Sequence, residues 1–166
     1  YNTMLLLQLF IITTPAASFN LYNGNIRHMV TSIRKFAIAG VSAHAMAYKY
    51  DQLNRIRSSE EYTNYNSGTN AWNSGGSGNA AYKEVFTYDH NGNILTQDRN
   101  GNLTSGLSMD VLNYHYISGS NKLEYVDDAG SVTNYTDDIK DQAAANYDYT
   151  QIGELKADAS EEIDEI

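Results

Sequence analysis

Tyr88-Asp89-His90-Asn91-Gly92-Asn93-Ile94 is the clearest copy of a phrase that recurs along this 166-residue chain. The phrase consists of an opening tyrosine, a polar cluster of Asp, Asn, Gly or Ser, and an aliphatic residue six or seven positions after the tyrosine. Other copies run over 50–56, 116–123 and 149–155, so the opening tyrosines are 38, 28 and 33 residues apart. Periods of about 20–50 residues are typical of stacked supersecondary units. The repeat therefore predicts how the fold is built, and it does not by itself predict a chemical activity.

Each copy has the residue pattern of a β-hairpin. An aromatic residue stands two positions before every opening tyrosine, and alternate residues of a strand point to the same face. The polar cluster favours the positive φ angles of tight turns, and the aliphatic residue then enters a returning strand. The aromatic pairs are Tyr48 and Tyr50, Phe86 and Tyr88, Tyr114 and Tyr116, and Tyr147 and Tyr149. The sequence therefore predicts stacked hairpins whose aromatic pairs share one face.

Asn-Gly dipeptides indicate where tight turns are expected. Asn91-Gly92 is the strongest two-residue hairpin signal, and the same dipeptide occurs at Asn23-Gly24 and Asn100-Gly101. Fourteen tyrosines and twelve glycines against one proline suit a hairpin-rich protein, because aromatic side chains pack well on a pleated, half-buried surface. We predict an all-β fold with little helix.

The phrase Tyr-Asp-x-x-Gly-Asn-x-Leu, clearest at Tyr88–Leu95, resembles the YD repeat of the Rhs family, which includes teneurins and the shell components of bacterial Tc toxin complexes. The resemblance extends over about 21–166, with a shortened copy at Leu21–Ile26 and a late one beginning at Asn146. Ile117 and Thr150 depart from it by replacing the Asp after the tyrosine. The aspartyl-protease signature of many Rhs cores is absent from the sequence, so self-cleavage is not assigned.

The resemblance implies a structural function. Repeats of this family wind into a long spiral β-sheet that closes around a cavity and encloses or presents a toxin or effector cargo. We therefore expect a secreted or cell-surface protein, bacterial in type, of which this chain is a fragment. Its partners are then the rest of the same polypeptide, other chains of an assembly, and the cargo. The repeat positions expected to carry this architecture are Tyr50, Asp51, Ile56, Tyr88, Asp89, Gly92, Asn93, Ile94, Tyr116, Leu123, Tyr149, Gly153 and Leu155.

A second function class stays open, an extracellular adhesion module whose scaffold presents loops to a glycan or a protein partner. The candidate loop is 64–79, where a Gly-, Ser- and Asn-rich composition predicts a flexible surface segment. Trp72 lies inside it and either anchors the loop to the sheet or contacts a sugar or partner. Anchoring is the preferred interpretation.

The apolar run Met4–Ile12 lies in an N-terminal segment, 1–18, that precedes the repeat region 19–166. The run is shorter than the about 20 residues that span a bilayer, so no membrane span is predicted. It fits a signal-peptide core followed by the small residues Ala16–Ser18, or a buried strand or short helix docked on the rest of the protein. The absence of a basic residue before Met4 favours the docked segment.

Charge and composition argue against several other functions. The net charge of −9 is unfavourable for nucleic acid, which binds basic grooves. The absence of cysteine excludes disulfides and thiolate metal sites. The histidines share no metal-ligand spacing and stand in no nucleophile motif; they are His28, His44, His90 and His115. We predict neither an enzyme nor a cofactor.

The segment Asp89–Asn102 also raises a calcium hypothesis, because it carries oxygen ligands at alternate positions around a glycine. A tight turn needs the same Asn and Gly residues, and Asn100 occupies the position where a calcium loop has a bidentate Glu. The hairpin explanation is stronger, and no metal site is predicted.

Overall fold

The computed structural model describes residues 21–31, 43–66, 68–69, 71–73, 80–102, 105–130, 135, 139 and 141–165. Over these ranges the chain forms strands, turns and coil without helix, which confirms the all-β prediction. The apolar segment 1–18 lies outside the described residues. The strands are β1 (His28–Thr31), β2 (His44–Tyr50), β3 (Ile56–Asn66), β4 (Ala71–Asn73), β5 (Glu84–Tyr88), β6 (Ile94–Asn100), β7 (Ser108–Tyr116), β8 (Leu123–Asp128), β9 (Tyr147–Tyr149) and β10 (Leu155–Asp158). A search of the described part found no helix long and apolar enough to cross a membrane.

One antiparallel sheet contains the first eight strands; seven of them lie in the order β1-β2-β3-β5-β6-β7-β8, and β4 is paired with β3 outside this order. Strands that follow each other in the chain thus also lie side by side, which is a meander of hairpins. β4 pairs with Thr63–Asn66 at the far end of β3, and β5 pairs with Ser58 and Ser59. Both run antiparallel to β3 and pair with different stretches of it.

The register places the aromatic pairs on one face of this sheet, here called the aromatic face. A cross-strand row runs from Tyr48 through Ser59, Glu84 and Arg99 to Asp110. Residues directly opposite each other, and alternate residues of one strand, share a face. The half-buried aromatic residues of this face are Tyr48, Tyr50, Phe86, Tyr88, Tyr114 and Tyr116. Their spacing in the sequence predicts this arrangement.

Buried side chains are concentrated at the two ends of the sheet. At the β2–β4 end, Ala45 and Tyr62 pair across strands on the face opposite the aromatic one, and they pack with Ala43 and Trp72. At the other end Leu112 and Val126 are buried. The middle of the sheet has a half-buried surface and no deep core among the described residues.

The last hairpin, β9 with β10, forms a two-stranded sheet of its own. Gln142 lies at the edge of β8, where its backbone N–H donates to the Val126 carbonyl and its side-chain oxygen accepts from the Val126 N–H. The Gln142 amide also donates to the Tyr147 hydroxyl at the start of β9. Side-chain hydrogen bonds therefore connect the last hairpin to the large sheet.

The expectation of a loop over 64–79 is wrong for part of that range. Residues 64–66 belong to β3, and Ala71–Asn73 form β4. Trp72 explains the difference, because its side chain is only 8% exposed and packs on Tyr65, with ring centroids 5.2 Å apart. Burial of one large aromatic residue orders a strand within a Gly- and Ser-rich stretch.

Neither Asn91-Gly92 nor Asn100-Gly101 forms a two-residue hairpin turn. Between β5 and β6 five residues, Asp89–Asn93, form the loop around Asn91-Gly92. At Asn100-Gly101, the Asn100 side chain donates to the Ala80 carbonyl and its N–H to that of Lys83, and β7 begins only at Ser108. Asn100 therefore bonds to residues distant in the sequence, and these contacts, rather than local turn preference, determine the conformation of the dipeptide.

Candidate functional site: a tyrosine ladder

The later four copies of the phrase form the loops that close the hairpins at one end, and the first copy, which precedes β1, lies beside the second. The copies are the first (22–26), second (50–56), third (88–94), fourth (116–123) and fifth (149–155) copy. The opening tyrosines and loop residues of these copies make regular contacts from one copy to the next. This row is the most regular feature of the molecule and is the candidate functional site.

The opening tyrosines of the later four copies each donate a hydrogen bond to the preceding copy. The acceptor is always the backbone carbonyl of the aliphatic residue that ends that preceding phrase. The bonds join Tyr50 to Ile26 and Tyr149 to Leu123 at 2.9 Å, and Tyr88 to Ile56 and Tyr116 to Ile94 at 2.7 Å. These distances are those of strong O–H···O bonds. We call the four bonds the tyrosine ladder.

Each ladder tyrosine is also held opposite the aliphatic residue of its own copy. The pairs are Tyr50 with Ile56, Tyr88 with Ile94, Tyr116 with Leu123, and Tyr149 with Leu155. All four pairs lie beside a register shift, and such shifts bend and twist a strand pair locally. One hairpin therefore orients the ring, and the hydroxyl reaches the next hairpin back.

Three of the ladder hydroxyls are donors over the neutral pH range. Burial raises the pKa of Tyr88, Tyr116 and Tyr149 above the ordinary value of 10.0, and at Tyr88 it outweighs the neighbouring Arg55 cation, which lowers the pKa. These three phenols therefore stay protonated at neutral pH.

Every loop of the row contains a residue with a left-handed backbone. Four copies use glycine, Gly24, Gly92, Gly119 and Gly153, with φ between 76° and 95°. The second copy uses Asn54 with φ of 62°. Asparagine tolerates this region better than most residues, so the copy without glycine still closes its loop.

An acidic side chain closes the loops of the second and third copies. Asp89 Oδ1 accepts the backbone N–H groups of Asn91 and Asn93 at 2.8 Å, and Asp51 Oδ1 accepts those of Leu53 and Arg55. Desolvation disfavours the charged carboxylates, but these hydrogen bonds outweigh it and lower the pKa of both groups below 3.8. Two copies are thus closed by an ionised aspartate.

The copies that depart from Tyr-Asp keep a side-chain acceptor in another form. Thr150 Oγ1 accepts the Glu154 N–H at 3.1 Å, and Ser120 Oγ accepts the Lys122 N–H at 3.2 Å. A hydroxyl therefore replaces the carboxylate where the sequence has Ile117 or Thr150 after the tyrosine.

Asparagine side chains join the first loop to the second and the third to the fourth. Asn23 and Asn25 both donate to Asn54 Oδ1, at 2.6 and 3.1 Å. Asn91 and Asn93 both donate to Asn121 Oδ1, at 3.2 and 2.9 Å. The two junctions have the same geometry, which we call the amide clamp.

A cation forms the other two junctions. The Arg55 guanidinium lies 4.5 Å from the Tyr88 ring centroid, and its Nη1 donates to the Asp89 carbonyl at 3.1 Å. Lys122 Nζ lies 5.3 Å from the Tyr149 ring. Both distances are within the range of cation–π attraction. Amide clamps and cation contacts alternate along the row, so the contacts repeat every two hairpins.

The structure brings all the predicted repeat positions into this row. Of the residues that directly precede the aliphatic residue of each copy, sequence reasoning identified only Asn93, although this position makes the contact to the next loop in the first four copies. It is Asn25, Arg55, Asn93, Lys122 or Glu154. The constant place of this residue in the phrase is a signal of a shared role. The role is hard to recognise from sequence because the residue type differs between copies.

Two of the histidines lie beside carboxylates of the neighbouring strand in the described part of the chain. His44 Nε2 is 2.6 Å from Glu61 Oε1, and His115 Nε2 is 3.2 Å from Asp127 Oδ1. The described ranges contain no group of three His, Cys, Asp or Glu side chains placed to hold a metal ion.

The chain matches no family model, no curated protein and no solved structure. Function must therefore be inferred from the row of loops and the sheet that it closes.

Proposed function

We propose that this chain is a structural YD-repeat segment of an exported Rhs-type protein, one piece of a wall that encloses or presents a cargo. The wall is built by adding hairpins side by side, and its inner surface is the aromatic face. The ladder tyrosines hold successive hairpins together and take no part in catalysis.

The tyrosine ladder is the observation that carries this proposal. Four equivalent hydrogen bonds join consecutive copies, although the connections between those copies differ in length and composition. A contact that repeats regardless of the connecting chain is what a stackable unit requires. In a binding protein with one site, there is no comparable reason for the same bond in every copy.

The partial burial of the rings on the aromatic face supports the same function. Its rings are half-buried in a single-layered sheet, and a sheet normally covers its apolar face with another layer. The opposite face carries polar pairs such as Thr87 with Thr96, whose hydroxyl oxygens are 2.7 Å apart, and His115 with Asp127. Outside the buried cluster at the β2–β4 end, the two faces therefore suit different environments, the aromatic one against other protein and the opposite one toward water.

The adhesion alternative gains no support from Trp72. A tryptophan that recognises a glycan or partner must present its ring, and this one is 8% exposed and packed on Tyr65. Its position matches the anchoring interpretation of the sequence.

Binding of a fluorescent apolar dye to the isolated chain tests the wall function. We expect the folded chain to bind the dye through the aromatic face. Phe86→Thr and Tyr48→Thr are expected to reduce binding, because each removes a ring from that face and keeps a residue that favours strands. The matched control is Tyr125→Thr, since Tyr125 stacks on His115 on the opposite face.

Two results contradict the proposal. One is a chain that unfolds cooperatively but binds no dye, because its aromatic face then offers no apolar surface for a neighbouring layer to cover. The other is equal loss of binding in the Tyr125 variant, which shows that the dye does not distinguish the faces.

A further inference from the structure

Asparagine followed by glycine can lose its side-chain amide without an enzyme. The backbone nitrogen of the glycine attacks the asparagine Cγ, a new N–Cγ bond forms, and the Cγ–Nδ2 bond breaks to release ammonia. Water then opens the five-membered succinimide ring to aspartate or isoaspartate. Glycine favours this reaction because it has no side chain beside the attacking nitrogen. The chain contains three such dipeptides, at 23–24, 91–92 and 100–101.

The dipeptide of the third loop is accessible and loosely held. Asn91 and Gly92 are both exposed. The amide that would leave, Asn91 Nδ2, donates to Asn121 Oδ1 at 3.2 Å, and the attacking nitrogen of Gly92 donates to the Asp89 carbonyl at 3.3 Å. Both distances are at or beyond the upper limit of ordinary N–H···O bonds. Neither reacting group is therefore held firmly by the fold.

The dipeptide of the first loop has the same place in the other amide clamp. Asn23 and Gly24 are exposed, and Asn23 Nδ2 donates to Asn54 Oδ1 at 2.6 Å. Gly24 has a left-handed backbone, like Gly92. Each amide clamp therefore uses, as one of its two donors, the asparagine of an Asn-Gly dipeptide.

The third dipeptide is held by the fold. Asn100 Nδ2 donates to the Ala80 carbonyl at 2.8 Å, and the nitrogen of Gly101 donates to the Leu107 carbonyl at 2.8 Å. Gly101 is also buried. Both the leaving amide and the attacking nitrogen are thus engaged, although the two residue types are the same as in the clamps.

Loss of the amide would break a clamp, because the clamp depends on two donors that share one acceptor. Asn91 and Asn93 both donate to Asn121 Oδ1. An aspartate at 91 has no N–H and would place a charged oxygen against that acceptor. Asn121 cannot rotate its own amide to serve the new carboxylate without turning its NH₂ group toward the NH₂ group of Asn93. The junction therefore loses a hydrogen bond and gains repulsion.

We propose that Asn91 and Asn23 are sites of spontaneous deamidation and that reaction at either residue opens its amide clamp, whereas the fold protects Asn100. The amide clamps alternate with the cation contacts along the row, so the modification loosens every second junction and leaves the others closed. The inference rests on the clamps alone and does not require the wall function.

Peptide mapping by mass spectrometry of the full 166-residue chain, incubated at neutral and mildly alkaline pH, tests the reaction. In denaturant we expect the three asparagines to react at similar rates, because each is followed by glycine. In the folded chain Asn91 and Asn23 should form aspartate and isoaspartate, and Asn100 should remain intact. The rates should rise with pH, since the attacking backbone nitrogen must lose its proton.

Two variants with the same added charge at one junction test the consequence. Asn91→Asp copies the aspartate product, and we expect backbone hydrogen exchange over 116–123 to become about 2- to 12-fold faster, the value of one hydrogen bond. Asn121→Asp is the matched control. It keeps an oxygen acceptor for both Asn91 and Asn93, so exchange in the same loop should not become faster.

Several results overturn the inference. If Asn91 reacts no faster than Asn100 in the folded chain, the reaction proceeds only through global unfolding, and the clamp is not a modification site. If Asn91→Asp leaves exchange over 116–123 unchanged, or if Asn121→Asp accelerates it equally, deamidation does not act through the clamp. Failure of dye binding to the aromatic face would remove the wall function and leave these expectations unchanged.

Discussion

A single oxygen atom distinguishes a ladder tyrosine from phenylalanine, and that atom makes the contact between hairpins. The ring itself lies opposite an aliphatic residue of its own copy, a contact that phenylalanine can also make. The phrase therefore requires tyrosine for a reason that hydrophobic spacing alone does not give. Aromatic spacing predicts the strand and its face, and the hydroxyl joins the strand to its neighbour.

Tyr50→Phe tests this role against a control in the same strand. We expect it to lower the free energy of unfolding by about 0.5–1.5 kcal/mol, because the Ile26 carbonyl loses its donor and the ring stays. Tyr48→Phe should change it by less, since Tyr48 lies on the same face but its hydroxyl makes no hydrogen bond in the described part of the chain. Denaturant titration measures both. Equal effects of the two substitutions contradict the ladder.

Gly92→Ala tests the left-handed loop position. With φ of 95°, an added side chain is expected to cost about 1–2 kcal/mol, and no atom lies close enough to the new Cβ to add a clash. Gly92→Asn should cost less, because Asn54 adopts a left-handed backbone at the equivalent place in the second copy. Thermal unfolding of the two variants compares them directly. An alanine variant as stable as the parent argues against the conformational explanation.

At the scale of the element, each hairpin closes through a loop with its own internal acceptor. The sequence signal of Asn-Gly suggested two-residue turns, and the structure has loops of five or six residues in which an Asp, Thr or Ser oxygen receives backbone N–H groups. The Asp after the opening tyrosine was visible in the sequence. Its function was missed because Asn-Gly is the stronger short-range pattern and was assigned the turn.

Acid is expected to open these loops. The aspartates have a folded-state pKa below the ordinary value of 3.8, so their contribution to stability is complete above about pH 3.8 and is lost as the pH falls through the folded-state pKa. Asp89→Asn keeps an acceptor oxygen without a titrating group and should therefore show a shallower loss of stability on acidification. Denaturant unfolding at pH 2–5 measures the two slopes. Parallel curves for the variant and the parent contradict this role of Asp89.

The cross-strand pair of Arg99 and Asp110 leads to a separate prediction. Asp110 is 1% exposed, and its Oδ2 lies 3.2 Å from Arg99 Nη1. Arg99→Met should therefore destabilise the sheet by about 3 kcal/mol, because it leaves a buried carboxylate without its cation. The double variant with Asp110→Leu should cost less than this single one. Lys49→Met, at an exposed pair with Glu60, is the control and should cost under about 1 kcal/mol.

The fold class, the hairpins and their shared aromatic face follow from the sequence because they depend on local spacing. The strand at Ala71–Asn73 and the position of Asn100 do not, because they depend on contacts with residues elsewhere in the chain. The tyrosine ladder lies between these cases. Its residues were identified from the repeat, but the hydroxyl-to-carbonyl bonds appear only when neighbouring copies are placed side by side.

At the scale of the whole molecule, the described hairpins form a nearly one-dimensional array, in which each touches mainly its neighbours. The stability of such an array depends on each unit and on each junction between units. The junction before the last hairpin is the weakest in backbone pairing, because β8 and β9 belong to different sheets.

Tyr149→Phe is therefore expected to act locally. Hydrogen exchange over 147–158 should become faster, while β5–β7 keeps its protection, because the substitution removes a bond at the end of the array. Tyr116→Phe, at an internal junction, should accelerate exchange on both sides of it. Uniform acceleration of the whole chain by Tyr149→Phe contradicts an array and indicates one cooperative unit.

The direction of the ladder has a consequence for synthesis of the chain. Each tyrosine bonds to a carbonyl earlier in the sequence, never later. A hairpin that leaves the ribosome therefore finds its acceptor already made, and domains of growing chains fold in that N-to-C order. Folding of this array can keep pace with translation, because each new ladder tyrosine finds its acceptor carbonyl in a hairpin that has already been synthesised.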